Sequence, residues 1–226
     1  MRNLFDSQLN TLHRKLIEMG SACETAIDLA VKALLEGNAD IAHEAASHDR
    51  EIDQMERDIE AICLKMLLQQ QPVARDLRQI SAAMKIITDM ERIGDQAEDI
   101  GEIVPFLNGR TGVECEDIRL MAETAQQMVR SSIDAYVNQD MALVKKVISM
   151  DDIVDDAFDR TKETLIHMIS CNYLIRLSAL QLDDDHSAQV SRLLKVIGDL
   201  ERIGDHATNI AEWVAFSITG QHAKEE

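Results

Sequence analysis

Residues 89–100, DMERIGDQAEDI, return 110 positions later as DLERIGDHATNI at 199–210, and the two copies agree at eight of twelve positions. A repeat of this length and period means that one supersecondary unit is built twice. Whatever the first half of the chain folds into, the second half must closely resemble. The repeat is also chemically loaded, because Glu91 and Asp95 recur as Glu201 and Asp205.

Both copies lie on a rhythm of fours and threes. Ile86, Met90, Ile93, Ala97, Ile100 and Val104 in the first copy become Val196, Leu200, Ile203, Ala207, Ile210 and Val214 in the second. That spacing is the heptad seam of packed helices. Residues four apart on an α-helix stand about 40° apart around the axis and roughly 6 Å apart along it. Each Glu-x-x-x-Asp pair therefore stacks two carboxylates on one face, one position off the seam, at the edge of a helix contact. Like charges there repel, and relief comes from water, a basic side chain or a cation. Gly94 and Gly204 occupy the same place in each copy. A helix-interior glycine costs about 1 kcal/mol against alanine, so its recurrence points to close approach by another helix or a ligand.

The rest of the chain reads as helix. Phe5, Leu9, Leu12, Leu16, Met19, Cys23, Ala26, Ala30 and Ala33 continue the fours and threes without a break, and Gly37-Asn38 ends them. A second helix starts near Asp40 and stops at QQQP, where Pro72 cannot continue it. A third spans 74–104 up to Pro105, and PFLNGRTGVE at 105–114 has the composition of a linker. Helices over about 115–138, 141–175 and 187–218 follow in the second half. Helix two also repeats an acidic pair, Asp49 with Asp53 and Asp151 with Asp155, at an offset of 102. The later offset of 110 assigns eight extra residues to the second unit, near LQLDDDHSA at 180–188. The expected fold is all-α: two tandem, pseudo-symmetric three-helix bundles with six long helices, over 1–107 and 113–220.

With 41 acidic against 23 basic residues, the formal charge is -18. Nucleic acid and anionic lipid are poor partners on that balance, and cations or basic protein surfaces better ones. Cys23, Cys63, Cys115 and Cys171 stand apart, as buried thiols of a reducing compartment do. Neither a signal peptide nor a membrane-spanning run is present, so the protein is expected to be cytoplasmic.

A hard cation needs several oxygen ligands converging from more than one helix. Glu91, Asp95 and, a turn on, Asp99 supply the first set, joined by Asp49 and Asp53 from helix two. Glu201, Asp205, Asn209, Asp151 and Asp155 supply the second. The alternative is a solvated acidic face on which Arg92 and Arg202 form surface ion pairs. Histidine ligands at the Glu-x-x-His spacing of di-iron bundles are missing. His206 is opposite Gln96 in the repeat and reads as a surface residue, and Trp213 as half buried.

The duplicated unit, each copy closing on [ML]-ERIGD-x-A-x-x-I, resembles the PhoU family of phosphate-signalling proteins over essentially the whole chain. QPVARDLRQI at 71–80 and the Asp-x-x-[IV]-Asp of helix two are similar as well. The resemblance implies a non-enzymatic cytoplasmic regulator of phosphate uptake. Such a protein links a phosphate ABC transporter ATPase to a sensor histidine kinase and restrains phosphate-starvation genes. It also implies a homodimer without direct membrane insertion. Multinuclear metal centres would sit on the Glu-x-x-x-Asp surfaces, and oxygen-rich sites of that kind take magnesium, manganese, iron or zinc according to geometry and supply. A carboxylate-cluster hydrolase or oxidase, and a metal-free helical adaptor, are the alternatives.

Overall fold

The computed structural model describes residues 2–70, 72–107, 116–179 and 185–221. Among these, six α-helices follow in order: α1 Arg2–Glu36, α2 Ala39–Gln70, α3 Ala74–Ile103, α4 Glu116–Asn138, α5 Met141–Ala179 and α6 Asp185–Thr219. A short 3-10 turn, Val104–Leu107, occupies the start of the expected linker, and the remainder of that linker lies outside the described residues. The expected helix limits hold to within a few residues, except at the α5–α6 hairpin. There α5 is 39 residues long against 32 for α2, so seven residues of the extra length continue the helix. Residues 180–184 lie outside the described set.

The two helical hairpin turns within the units repeat each other. Gly37 takes φ 63 and Asn38 caps α2, its Oδ1 accepting from the backbone N–H of Asp40 at 3.0 Å. At the equivalent place Gln139 takes φ 55, and Asp140 Oδ1 accepts from Ala142 N–H at 2.7 Å to cap α5. Asn38→Ala and Asp140→Ala are each expected to cost about 1 kcal/mol in urea unfolding, the usual value of an N-cap.

Each trio packs as a bundle, and the two bundles share one contiguous core. The heptad stripe of α1 is buried from Phe5 to Ala33, with only Leu9 part exposed. This stripe, which could have served a dimer, is therefore consumed within the chain. Two antiparallel contacts join the units. Along α1–α4, His13 meets the Tyr136 ring edge-on at 5.5 Å, and Gln126 Nε2 donates to the Glu24 carbonyl at 3.0 Å. Arg130 pairs with the Glu24 carboxylate beside it. Tyr136 is fully buried and donates its hydroxyl to the Gln79 carbonyl at 2.8 Å.

Along α3–α6 the contact is polar at its edge. His206 Nδ1 lies 3.0 Å from Asp89, and Lys195 bridges Asp99 at 2.8 Å and Asp199 at 3.1 Å. His206 is thus a partner of Asp89 across the two units, not a solvent-facing residue. Trp213 is half buried as expected, with the Lys85 ammonium 5.8 Å from its ring centroid. Of the four cysteines, Cys23 and Cys63 are buried thiols, and burial pushes Cys63 up to about 12. Cys115 and the side chain of Cys171 lie outside the described residues.

Asp199 has no side-chain exposure, and burial raises its carboxyl while Lys195 and Arg202 hold against that rise. Lys195→Met is expected to cost about 2 kcal/mol, as loss of hydrogen bonds to a charged group does. Adding Asp199→Asn should recover much of that stability, because no unpaired buried charge remains.

Candidate functional site

Each acidic cluster forms where a helix two crosses a helix three, and the recurring glycine sets the crossing distance. A Cβ on Gly94 would stand 3.1 Å from Ile52 Cδ1 and 3.2 Å from Asp49 Oδ1. On Gly204 it would stand 3.2 Å from Val154 Cγ1 and 3.5 Å from Asp151 Oδ1. Ile52 and Val154 are the aliphatic residues of the two Asp-x-x-[IV]-Asp segments, so the two motifs of the repeat meet in both units. The glycine's missing side chain is what admits the aspartate of α2 or α5 against the ERIGD turn.

The electrostatics follow from that crowding. Burial raises the Asp49 carboxyl above the usual range, and Asp53 and Asp95 raise it further. Burial and Asp95 do the same to Glu91, with smaller contributions from Glu56 and Asp53. In the second unit, burial raises Asp151, Asp155 and Glu201, and Asp205 adds to each. Asp49, Asp53, Glu91 and Asp95 are thus one interacting set, and Asp151, Asp155, Glu201 and Asp205 another.

Asp99 stands elsewhere. It turns toward α6 and pairs with Lys195, while Glu98 one position earlier is raised by burial and then by Asp49. Asn209 is the half-buried counterpart of Asp99, and Thr208 the counterpart of Glu98. Glu56 was not among the expected residues. It accepts from the Thr88 hydroxyl of α3 at 3.5 Å and extends the first cluster along α2. The signal for both glutamates was present, since Asp49, Asp53 and Glu56, like Glu91, Asp95 and Glu98, step by four and then three.

The donor set suits a hard cation in chemistry. All its donors are oxygens, burial holds the Asp49, Glu91, Asp151, Asp155 and Glu201 carboxyls above their ordinary range, and Asp49 Oδ1 is buried without a hydrogen-bond partner. As the side chains lie, no three His, Cys, Asp or Glu groups among the described residues are placed to hold one ion. In the first unit Arg92 occupies the acids, at 2.8 Å from Asp95 and 3.4 Å from Glu91. In the second, Arg202 reaches to Asp199 at 3.2 Å and to Gln96 at 3.5 Å, across the α3–α6 contact. Asp152, Asp156 and Asp159 add to the charge on the second face. The two clusters share a frame and differ in how far a resident arginine neutralises them.

The sequence profile of the PhoU domain matches this chain twice, over residues 16–104 and 118–214. The chain is 36% identical, over 97% of its length and 93% of the relative's, to the "phosphate-specific transport system accessory protein PhoU homolog" of a Synechocystis strain. It is 34% identical, over 97% and 96%, to the protein of the same description in Clostridium acetobutylicum. In three dimensions it resembles the crystal structure of PhoU from Pseudomonas aeruginosa with a TM-score of 0.84 at 30% identity, covering 96% of this chain and 100% of that one. The fold is also that of the phosphate transport system regulatory protein PhoU from Streptococcus pneumoniae, with a TM-score of 0.84 at 22% identity over 97% and 99% of the two chains.

Proposed function

Since the chain belongs to the PhoU family, we propose that it is a regulatory accessory protein of a phosphate-specific transport system, with no catalytic activity of its own. The observation that carries this reading is the double match. Both repeats fit the family, and the two motifs that define the repeat meet at both helix crossings. On this proposal the acidic faces hold divalent or trivalent cations, with Asp49, Asp53, Glu91 and Asp95 on one and Asp151, Asp155, Glu201 and Asp205 on the other. Asp99 and Asn209 border them from the α3–α6 side.

A cation on either face would replace charge repulsion by coordination and leave an open position for an oxygen of a partner protein. The partners proposed are the ATPase of a phosphate transporter and a sensor histidine kinase, met in the cytoplasm by a homodimer. Among the described residues no helix is long and apolar enough to cross a membrane.

The test compares wild type with a Glu91→Ala, Asp95→Ala, Glu201→Ala, Asp205→Ala variant. Metal content after chelator-free purification, capture of purified transporter ATPase and kinase, and expression of phosphate-starvation genes are measured together. Loss of metal, capture and repression in a variant that keeps its helicity supports the proposal. Capture and repression unchanged in the metal-free variant overturn the metal-loaded surface, and metal-dependent turnover of phosphoesters by wild type favours a hydrolase.

A further inference from the structure

The α3–α6 contact sets two copies of one segment against each other, so each residue on it has a counterpart 110 positions away in the other unit. Lys85 corresponds to Lys195, Asp89 to Asp199, Arg92 to Arg202, Gln96 to His206 and Asp99 to Asn209. Equivalent arginines should keep equivalent partners, and these two do not. Arg202 turns back one helical turn, its Nη1 3.2 Å from Asp199 Oδ1, and reaches Gln96 across the contact at 3.5 Å. Arg92 turns forward, to Asp95 at 2.8 Å with Glu91 at 3.4 Å, the carboxylates of the first acidic face.

The partners of the two equivalent aspartates account for the difference. On Asp199, Lys195 takes Oδ2 at 3.1 Å and Arg202 takes Oδ1. On Asp89, Oδ1 is met at 3.0 Å by His206 Nδ1, and a ring nitrogen facing a carboxylate donates, because the carboxylate only accepts. Lys85 does not repeat the role of Lys195. Asp99 draws Lys195 across the contact, whereas the counterpart of Asp99 is the neutral Asn209, and Lys85 Nζ stands over Trp213 instead. The place on Asp89 that matches Arg202's place on Asp199 is therefore filled by an imidazole.

We propose that His206, in the second unit, is a positioning residue for the acidic face of the first: by holding Asp89 it keeps Arg92 on Glu91 and Asp95 and so weakens cation binding there. This rests on the cation reading given above. At the second face Gln96 leaves Asp199 open to Arg202, and Arg202 makes no ion pair with Glu201 or Asp205 among the described residues. A cation at the first face has to displace a guanidinium from the oxygens it needs, and one at the second does not.

The experiment titrates manganese into the full chain with only the first face intact, in a Glu201→Ala, Asp205→Ala background. There His206→Gln, which copies the residue of the first unit into the second, should tighten manganese binding roughly threefold to tenfold, the scale of one arginine released from exposed carboxylates. Arg92→Gln should give a similar gain, and adding His206→Gln to it should give none, since the histidine acts through the arginine. A crystal structure of the metal-free His206→Gln variant should show Arg92 against Asp89, as Arg202 lies against Asp199. Circular dichroism should be unchanged, because His206 is half buried and glutamine already fills the equivalent place on α3. Arg92 still on Glu91 and Asp95 in that structure, an unchanged affinity, or a His206→Gln gain that persists without Arg92 overturns the proposal. Arg92 moved to Asp89 in a chain that binds no manganese at either face overturns the cation reading instead, and with it the effect on affinity.

Discussion

Adding magnesium or manganese to metal-free protein at neutral pH is expected to raise Tm by roughly 5–10 °C, with reversal by chelator. Binding at about a hundred times Kd stabilises by about 2.7 kcal/mol, and each kcal/mol moves Tm by about 2–4 °C in a chain of this size. Burial of the acids, with their mutual repulsion second, makes the metal-free protein sensitive to acid in an unusual direction. Asp49, Glu91, Asp151, Asp155 and Glu201 all have carboxyls raised in the folded state, burial being the first cause. A raised carboxyl contributes stability that is fully present below its unfolded value and is lost as pH rises through its folded value.

Lowering the pH from neutral toward the ordinary carboxylate range should therefore raise Tm in metal-free protein and add little when the cation is present. His13 works the other way. Burial lowers its imidazole, so its contribution is present above about 6.5 and declines as pH falls below that. A Glu201→Gln, Asp205→Asn variant distinguishes repulsion from ordinary surface pairing. It should be more stable than wild type without metal and lose the share of the cation-induced shift that the second face contributes. A Tm shift no larger than matched sodium chloride produces would remove the cation from the account. The second face should fill first, because Arg202 is engaged at the α3–α6 contact while Arg92 spans Glu91 and Asp95.

The sequence was legible wherever one periodicity served one contact. The stripe of α1, the seams of α3 and α6 and the meeting of Asp49 with Gly94 all follow from steps of four and three plus a glycine without a side chain. Legibility failed where one helix serves two neighbours. The seam of α3 packs toward α2 and α6 at once, and nothing in a heptad says which neighbour an edge residue faces. Proximity along the chain groups Asp99 with Asp95, whereas eight positions from Glu91 it has turned toward Lys195. His206 had no counterpart acid in the repeat to announce Asp89, because the pair forms across the two units. The extra length of the second unit is legible from the repeat offset but its form is not, and most of it prolongs α5.

The glycines carry the sharpest contrast. Gly198→Ala is expected to stabilise the protein by up to about 1 kcal/mol, the helix-propensity difference, since nothing lies within 4 Å of the added Cβ. Six residues on, Gly204→Ala meets Val154 Cγ1 at 3.2 Å and should be close to neutral, propensity offsetting the displaced contact. Gly94→Ala is tighter, with Ile52 Cδ1 at 3.1 Å, Asp49 Oδ1 at 3.2 Å and Ile52 Cγ2 at 3.3 Å all on one segment of α2. Ile52 is fully buried and has nowhere to turn, so the helix itself must move. Gly94→Val, which adds two further methyl groups in that gap, should cost about 1–3 kcal/mol as overpacked contacts do. The site should suffer beyond the stability loss, because the helix that retreats is the one that brings Asp49 and Asp53. Gly94→Val is thus expected to keep its helicity, lower Tm by roughly 5 °C, and lose the cation-induced shift contributed by the first face while retaining that of the second. If Gly94→Val and Gly198→Val behaved alike, the glycine would not be what lets the acids meet, and the close crossing of α2 and α3 would have another cause.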